Sequence, residues 1–197
     1  MSDNLIYENQ NCMTSEQCQQ LIDFFEDNSK FHGKGQVVHK DKNIDYDNVK
    51  KCTEMYISSN DLGKPNILEH ISLAINKTQT DYILKYPYLK ECARWDISHT
   101  FKIQKYLPNE AYYVLHTENT GLVDGHCERR MIAWMIYLND VTDDGETEFP
   151  TQEIKFQPKQ GSMLMWPAYW THPHRGIPSP TQEKYIITGW FSFIQNH

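Results

Sequence analysis

Near residue 95 the hydrophobic pattern of this chain changes period, and no other feature limits its fold as sharply. Before it the period is helical. In SEQCQQLIDFFEDN, Cys18, Leu21, Ile22 and Phe25 recur at helical spacing, with Thr14 or Ser15 placed to cap the run. A second helix is expected from near Pro65, with Leu68, Ile71, Ile75 and Tyr82 as its stripe and Pro87 as its stop. FHGKGQVVHKDKNIDYDNVKKC between them reads as loop with one short strand. After residue 95 the period is two. Phe101 and Ile103 alternate with Lys102 and Gln104, and AYYVLHTE, MIAWMIYL, GSMLMWP and KYIITGWFSF are short β-branched or aromatic runs. LPNE, NTGLVDG, NDVTDDGE, PKQG and GIPSPTQ supply the turns between them. The expected fold is mainly β with N-terminal helices, a sandwich or barrel-like roll. Residues 1–197 then form one domain, with 1–95 a helical and loop support region and 96–197 the roll.

Charge and composition exclude several functions. Lys and Arg number 19 against 26 Asp and Glu, a formal charge of −7, so a phosphate-backbone partner is not expected. No apolar run approaches a membrane span, so no membrane partner is expected either. MSDNLIYENQ has neither the basic nor the apolar part of a secretory signal, and five scattered cysteines form no CxxC pair. A cytoplasmic, reducing location follows from that pattern.

His116 and Glu118 are separated by one residue, which in the predicted strand aims an imidazole and a carboxylate the same way. WTHPHRG offers two further histidines, His172 and His174. Two histidines and a carboxylate make the facial triad that suits non-haem Fe(II) and leaves positions open. A surface histidine beside an exposed acid produces the same His-x-Glu string. In KYIITGW the period of two sets Lys184, Ile186, Thr188 and Trp190 on one face. A lysine turned into a sheet interior needs an anionic partner, and a small dicarboxylate could be one. An exposed lysine at a strand start is the ordinary alternative.

QKYLPNEAYYVLHTE, RRMIAWMIYLNDVTDDGETEFP, PKQGSMLMWP, HPHRGIP and KYIITGWF together resemble the catalytic roll of the prolyl 4-hydroxylase-type 2-oxoglutarate/Fe(II) dioxygenases, in their compact phage and bacterial versions. The resemblance spans Lys102 to Phe193 and implies a double-stranded β-helix, the cupin-like jelly roll. It assigns the metal ligands to His116, Glu118 and His174, with Glu118 where the family usually has Asp. His174 is preferred to His172 because it matches the family spacing to Pro178 and Lys184. Lys184 falls where the family pairs a basic residue with the far carboxylate of 2-oxoglutarate. Tyr106, Tyr137 and Thr188 fall in or near the co-substrate pocket. Trp190 reads as structural wall, Arg130 and Arg175 as residues that could touch substrate, and Glu146 and Glu148 as structural.

The activity this implies uses Fe(II), 2-oxoglutarate and O₂, with ascorbate as a rescue for over-oxidised iron. It releases succinate and CO₂ and hydroxylates an unactivated C–H bond, by family default that of a prolyl residue in a peptide or protein. Residues 31–61 and Asn119–Glu128 could form a lid. Two other readings stay open at the level of sequence. One is a non-catalytic cupin-like binding module, against which the complete triad and Lys184 argue. The other is an oxygenase of the same superfamily acting on a small molecule or nucleic acid.

Overall fold

The computed structural model describes residues 3–37, 46–61, 68–121 and 124–194. Strand β1 (Tyr7–Asn9) precedes helix α1 (Ser15–Asp27). Thr14 caps α1 through a capping box. Its hydroxyl accepts from the Gln17 N–H at 3.2 Å, and the Gln17 side chain accepts from the Thr14 N–H at 2.9 Å. Strand β2 (Gly33–Lys34), a single turn α2 (Tyr46–Val49) and strand β3 (Thr53–Ser58) follow. The expected helix start near Pro65 lies outside the described residues. The described helix, α3, is Glu69–Lys85, ended by Tyr86 just before Pro87. Eight strands remain: β4 (Trp95–Ile97), β5 (Thr100–Tyr106), β6 (Arg130–Tyr137), β7 (Thr147–Phe149), β8 (Ile154–Phe156), β9 (Met163–Pro167), β10 (Arg175–Gly176) and β11 (Lys184–Phe193). No described helix is long and apolar enough to cross a membrane.

The strands form two antiparallel sheets. The larger runs β1-β9-β6-β11-β5-β3-β2, with β4 also on β11, and the smaller runs β10-β7-β8. Alternation along the large sheet sorts its side chains into two cores. On one face Ile103, Trp134, Ile136, Ile187 and Phe191 pack against Leu21 and Phe25 of α1 and Ile71 and Ile75 of α3. On the other, Tyr137, Leu164, Trp166 and Ile186 pack against Phe149 of β7, with Ile154 and Phe156 of β8 at the rim. Each fully buried large side chain contributes roughly 1.5–3 kcal/mol, so the helix stripes hold the outer face firmly enough to leave the inner face to the site. Gly189 makes room in this packing, because a Cβ there would lie 2.4 Å from the Trp134 ring.

Two expectations need correcting. Residues 1–95 are not helix and loop support alone, because β1, β2 and β3 join the large sheet. TEMYIS carries its own alternation, with Met55 and Ile57 turned into the core and Tyr56 outward. AYYVLHTE is not a strand. It makes only isolated bridges, Lys50 to Tyr112 and His116 to His174. Its apolar residues Val114 and Leu115 are largely exposed and line a cavity mouth instead of packing on a sheet.

Candidate active site

Residues of both sheets and of the segment Tyr112–Glu118 line a cavity of about 550 Å³. His116, Glu118, His174, Lys184, Tyr106 and Thr188 all border it. His116 and His174 are clamped by reciprocal backbone hydrogen bonds of 3.0 and 2.9 Å. That pairing does the work the missing strand was expected to do.

The ring orientations follow from the second nitrogen of each imidazole. His116 Nδ1 lies 3.1 Å from the Val114 carbonyl, and His174 Nδ1 lies 3.1 Å from the His172 carbonyl. Each contact assigns the proton to Nδ1 and leaves the Nε2 lone pair free. Both Nε2 atoms face Glu118 Oε1, at 3.7 Å from His116 and 3.4 Å from His174. One ligand atom from each of the three residues falls within 4.8 Å of the others. Tyr112 stacks on His116 with centroids 3.5 Å apart, and Phe149 stacks on His174 at 5.2 Å, so neither ring swings freely.

Glu118 is held by its other oxygen. Trp190 Nε1 donates to Oε2 at 2.8 Å, Arg130 donates to it at 3.4 Å, and the guanidinium lies 3.6 Å above the Trp190 ring. Oε1 is thereby turned toward the imidazoles. Burial works against the Glu118 charge, but the hydrogen bonds and charge that His116 and His174 supply when protonated outweigh it and hold the carboxyl well below its usual range. Burial and the nearby His174 lower the pKa of His116, which favours the neutral, ligating form. Two imidazoles and one carboxylate, converging through Nε2, Nε2 and Oε1, fit a divalent first-row metal such as Fe(II).

Lys184 is buried, its ammonium donates to the Gly145 carbonyl at 2.9 Å, and it lies 5.2 Å from the Tyr106 ring centroid. Burial pulls its pKa down from 10.5 to about 8, while Glu146 pushes the other way. Tyr106 donates to Gln104 Oε1 at 3.2 Å, and Thr188 Oγ1 donates to the Trp134 carbonyl at 3.2 Å. Tyr137 does not border the cavity. It lies behind Thr147, to which its hydroxyl donates at 2.7 Å, and Thr147 takes the lining position. His172 is turned away, with Nε2 at 2.9 Å from the Asn4 carbonyl and Nδ1 at 2.8 Å from the Thr171 hydroxyl. Arg175 pairs with Glu148 at 2.6 Å across β10 and β7. The sequence reading missed three parts: Tyr112 on His116, the Trp190–Arg130 grip on Glu118, and a buried charged group formed by Lys50, Glu54 and Lys102. The face-sharing of Trp190 with Lys184 was the one available signal for the second.

Residues 101–192 match the family model of the 2OG-Fe(II) oxygenase superfamily. The chain is 27% identical over 196 residues to a protein of Acanthamoeba polyphaga mimivirus named "Putative prolyl 4-hydroxylase", covering 92% of this chain and 71% of the relative. Its structure is similar to that of a viral collagen prolyl hydroxylase from Paramecium bursaria Chlorella virus-1, solved as a 2OG complex. The TM-score is 0.70 at 19% identity, over 96% of this chain and 97% of the other. It is also similar to a prolyl hydroxylase of Trichoplax adhaerens in complex with a hypoxia inducible factor oxygen degradation domain peptide fragment. There the TM-score is 0.68 at 16% identity, over 96% and 84% of the two chains. The fold is the double-stranded β-helix, and the residues matched by the 2OG-Fe(II) oxygenase model span the roll that carries the triad and Lys184. Its likeness within that superfamily is to proteins named as prolyl hydroxylases. Fe(II), 2-oxoglutarate and O₂ are the cofactor and co-substrates of the class.

Proposed function

We propose that this protein hydroxylates a prolyl residue in a peptide or protein, with release of succinate and CO₂. The observation that carries the reading is one cavity with two chemically different ends. At one end two imidazole Nε2 atoms and a carboxylate oxygen converge. At the other a buried ammonium stands ready for an anion. Ferrous iron with 2-oxoglutarate and O₂ supplies the oxidising power for an unactivated C–H bond when bound.

The chain's own residues do the rest. His116, Glu118 and His174 would hold the metal, and the Nδ1 and Oε2 contacts keep those three side chains aimed without rearrangement. Lys184 would neutralise the far carboxylate of 2-oxoglutarate, which fixes the direction in which the diacid lies. Tyr106 and Thr188 form the walls between the two ends, and Trp166 and Ile186 keep part of that wall apolar. Such walls exclude water from the reacting centre. The names of the similar viral and animal proteins support proline as the target. Five scattered cysteines with no CxxC pair suit a reducing, cytoplasm-like compartment.

The test couples metal binding to turnover. His116→Ala and His174→Ala should each lose Fe(II) binding by calorimetry and lose 2-oxoglutarate turnover. His172→Ala, whose ring faces Asn4, should keep both. Proline-rich peptides, free proline and single-stranded DNA are then supplied side by side. Hydroxyproline in the peptide, matched to succinate, is the expected result. Turnover with only the amino acid or the nucleic acid would overturn the assignment.

A further inference from the structure

Charge in the cavity does not balance once the assigned partners are matched. Lys184 is matched to the co-substrate, Arg130 to Glu118, and Arg175 to Glu148. Lys50 and Lys102 remain, and between them stands one carboxylate. Glu54 Oε2 is 2.9 Å from Lys50 Nζ, and both Glu54 oxygens are 3.4 Å from Lys102 Nζ. The same carboxylate already accepts from Gln104 at 3.0 Å and from the Gln36 N–H at 3.0 Å. Among the described residues neither lysine has a second acidic partner. Lys50, Glu54 and Lys102 are 4%, 1% and 9% exposed. Two ammonium groups on one carboxylate leave a surplus positive charge in a buried place, which is expensive without a further anion. The surplus is local, because the chain as a whole carries −7.

Both lysines border the same cavity as the triad. The backbone of Lys50 bridges Tyr112, whose ring stacks on His116. Lys102 pairs across the sheet with Thr188, two residues before the Trp190 that holds Glu118. The pair therefore flanks the metal-binding end. Lys184 sits beside Tyr106, four residues and about 13 Å of strand away from Lys102. A diacid held between the triad and Lys184 leaves Lys50 and Lys102 unmatched.

We infer that Lys50 and Lys102 form a carboxylate-reading wall and that the substrate presents a carboxylate close to its target carbon. The inference rests on the peptidyl-proline reading above and narrows it to acidic peptides. The carboxylate comes either from an Asp or Glu side chain next to the proline or from a C-terminal proline's own carboxyl group. Lys102 is a specificity residue in this scheme, and it touches neither iron nor 2-oxoglutarate.

The experiment uses the intact, iron-loaded enzyme and matched peptide pairs. In one pair Glu beside proline is exchanged for Gln. In another a C-terminal proline is supplied free or amidated. Both pairs are repeated with the proline replaced. Succinate and +16 mass shifts are read, with Lys102→Met and Lys50→Met alongside and their melting curves checked. Each variant leaves Glu54 one lysine partner. The wild type should prefer one acidic member by about tenfold or more in kcat/KM, the effect of one charge-assisted contact. That preference should collapse in Lys102→Met through the KM for peptide. Preference in the Glu pair identifies a side-chain carboxylate, and preference in the terminal pair a chain end. Equal use of acid and amide overturns this inference while leaving proline as the target. A rise in the KM for 2-oxoglutarate in Lys102→Met also overturns it, because the wall then serves the co-substrate. Hydroxylation of acidic peptides at another residue keeps the wall and overturns the prolyl reading. No turnover on any peptide overturns both.

Discussion

Replacing Lys184 with methionine should make the protein more stable and less able to bind its co-substrate. The ammonium is 5% exposed, donates to the Gly145 carbonyl, and faces Tyr106 and Glu146. Burial moves its pKa from 10.5 to about 8. At about 1.4 kcal/mol per unit, that shift means charging Lys184 costs the free folded protein about 3 kcal/mol. The folded value is the depressed one. The cost is therefore fully present below pH 8, shrinks as pH rises, and is gone near 10.5. Lys184→Met removes it and orphans one carbonyl, a loss of about 1 kcal/mol, for a net gain of about 2 kcal/mol at pH 7. Binding runs the other way. Truncating one partner of a buried charge pair costs roughly 2–5 kcal/mol, at least about thirtyfold in 2-oxoglutarate affinity. In the wild type that affinity should be flat below pH 8 and fall about tenfold per unit above it, because the diacid needs the charged lysine. Denaturant unfolding of the apo protein between pH 6 and 9.5, with calorimetric titration of 2-oxoglutarate, measures both. A methionine variant that is less stable at pH 7 and binds 2-oxoglutarate unchanged would refute the reasoning.

Trp190→Phe keeps a ring under Arg130 but removes the donor to Glu118 Oε2. Fe(II) affinity by calorimetric titration should drop about 10- to 100-fold, the usual effect of losing an outer-shell partner, and an unchanged value would mean Arg130 suffices. Gly161 has φ +77°, and a Cβ there would sit 2.2 Å from the Met13 carbonyl oxygen, at the bend that carries the chain from β1 into α1. Gly161→Ala should lower unfolding free energy by about 2 kcal/mol or more in urea melts, with Fe(II) binding retained by the folded fraction.

Most of the roll was legible because its strands alternate cleanly, and the period of two put Lys184, Ile186, Thr188 and Trp190 on one face, where they line the cavity. The choice of His174 over His172 rested on spacing. The structure brings His174 to Glu118 and turns His172 to Asn4. What was not legible depended on partners distant in sequence. Tyr137 looked equivalent to Tyr106, yet a neighbour from β7 covers it, and no local pattern encodes that cover. The charged group around Glu54 draws on Gln36, Lys50, Lys102 and Gln104, which no spacing rule connects. AYYVLHTE misled because an aromatic and β-branched run, normally a strand signal, here places Tyr112, Val114 and Leu115 along a cavity instead of in a sheet.

Strand β11 carries both the ammonium at Lys184 and the indole at Trp190 on one unbroken length of backbone. Six residues of extended chain fix about 20 Å between those positions. It is a central strand, braced by β5 on one side and β6 on the other. The loops at the mouth hang from other parts of the chain. A lineage carrying this fold can rewrite those loops, and so the molecule it modifies, without shifting the lysine relative to the indole that orients Glu118. A one-residue insertion inside β11 would swap the strand's inward and outward sides and cost every such lineage its chemistry at once.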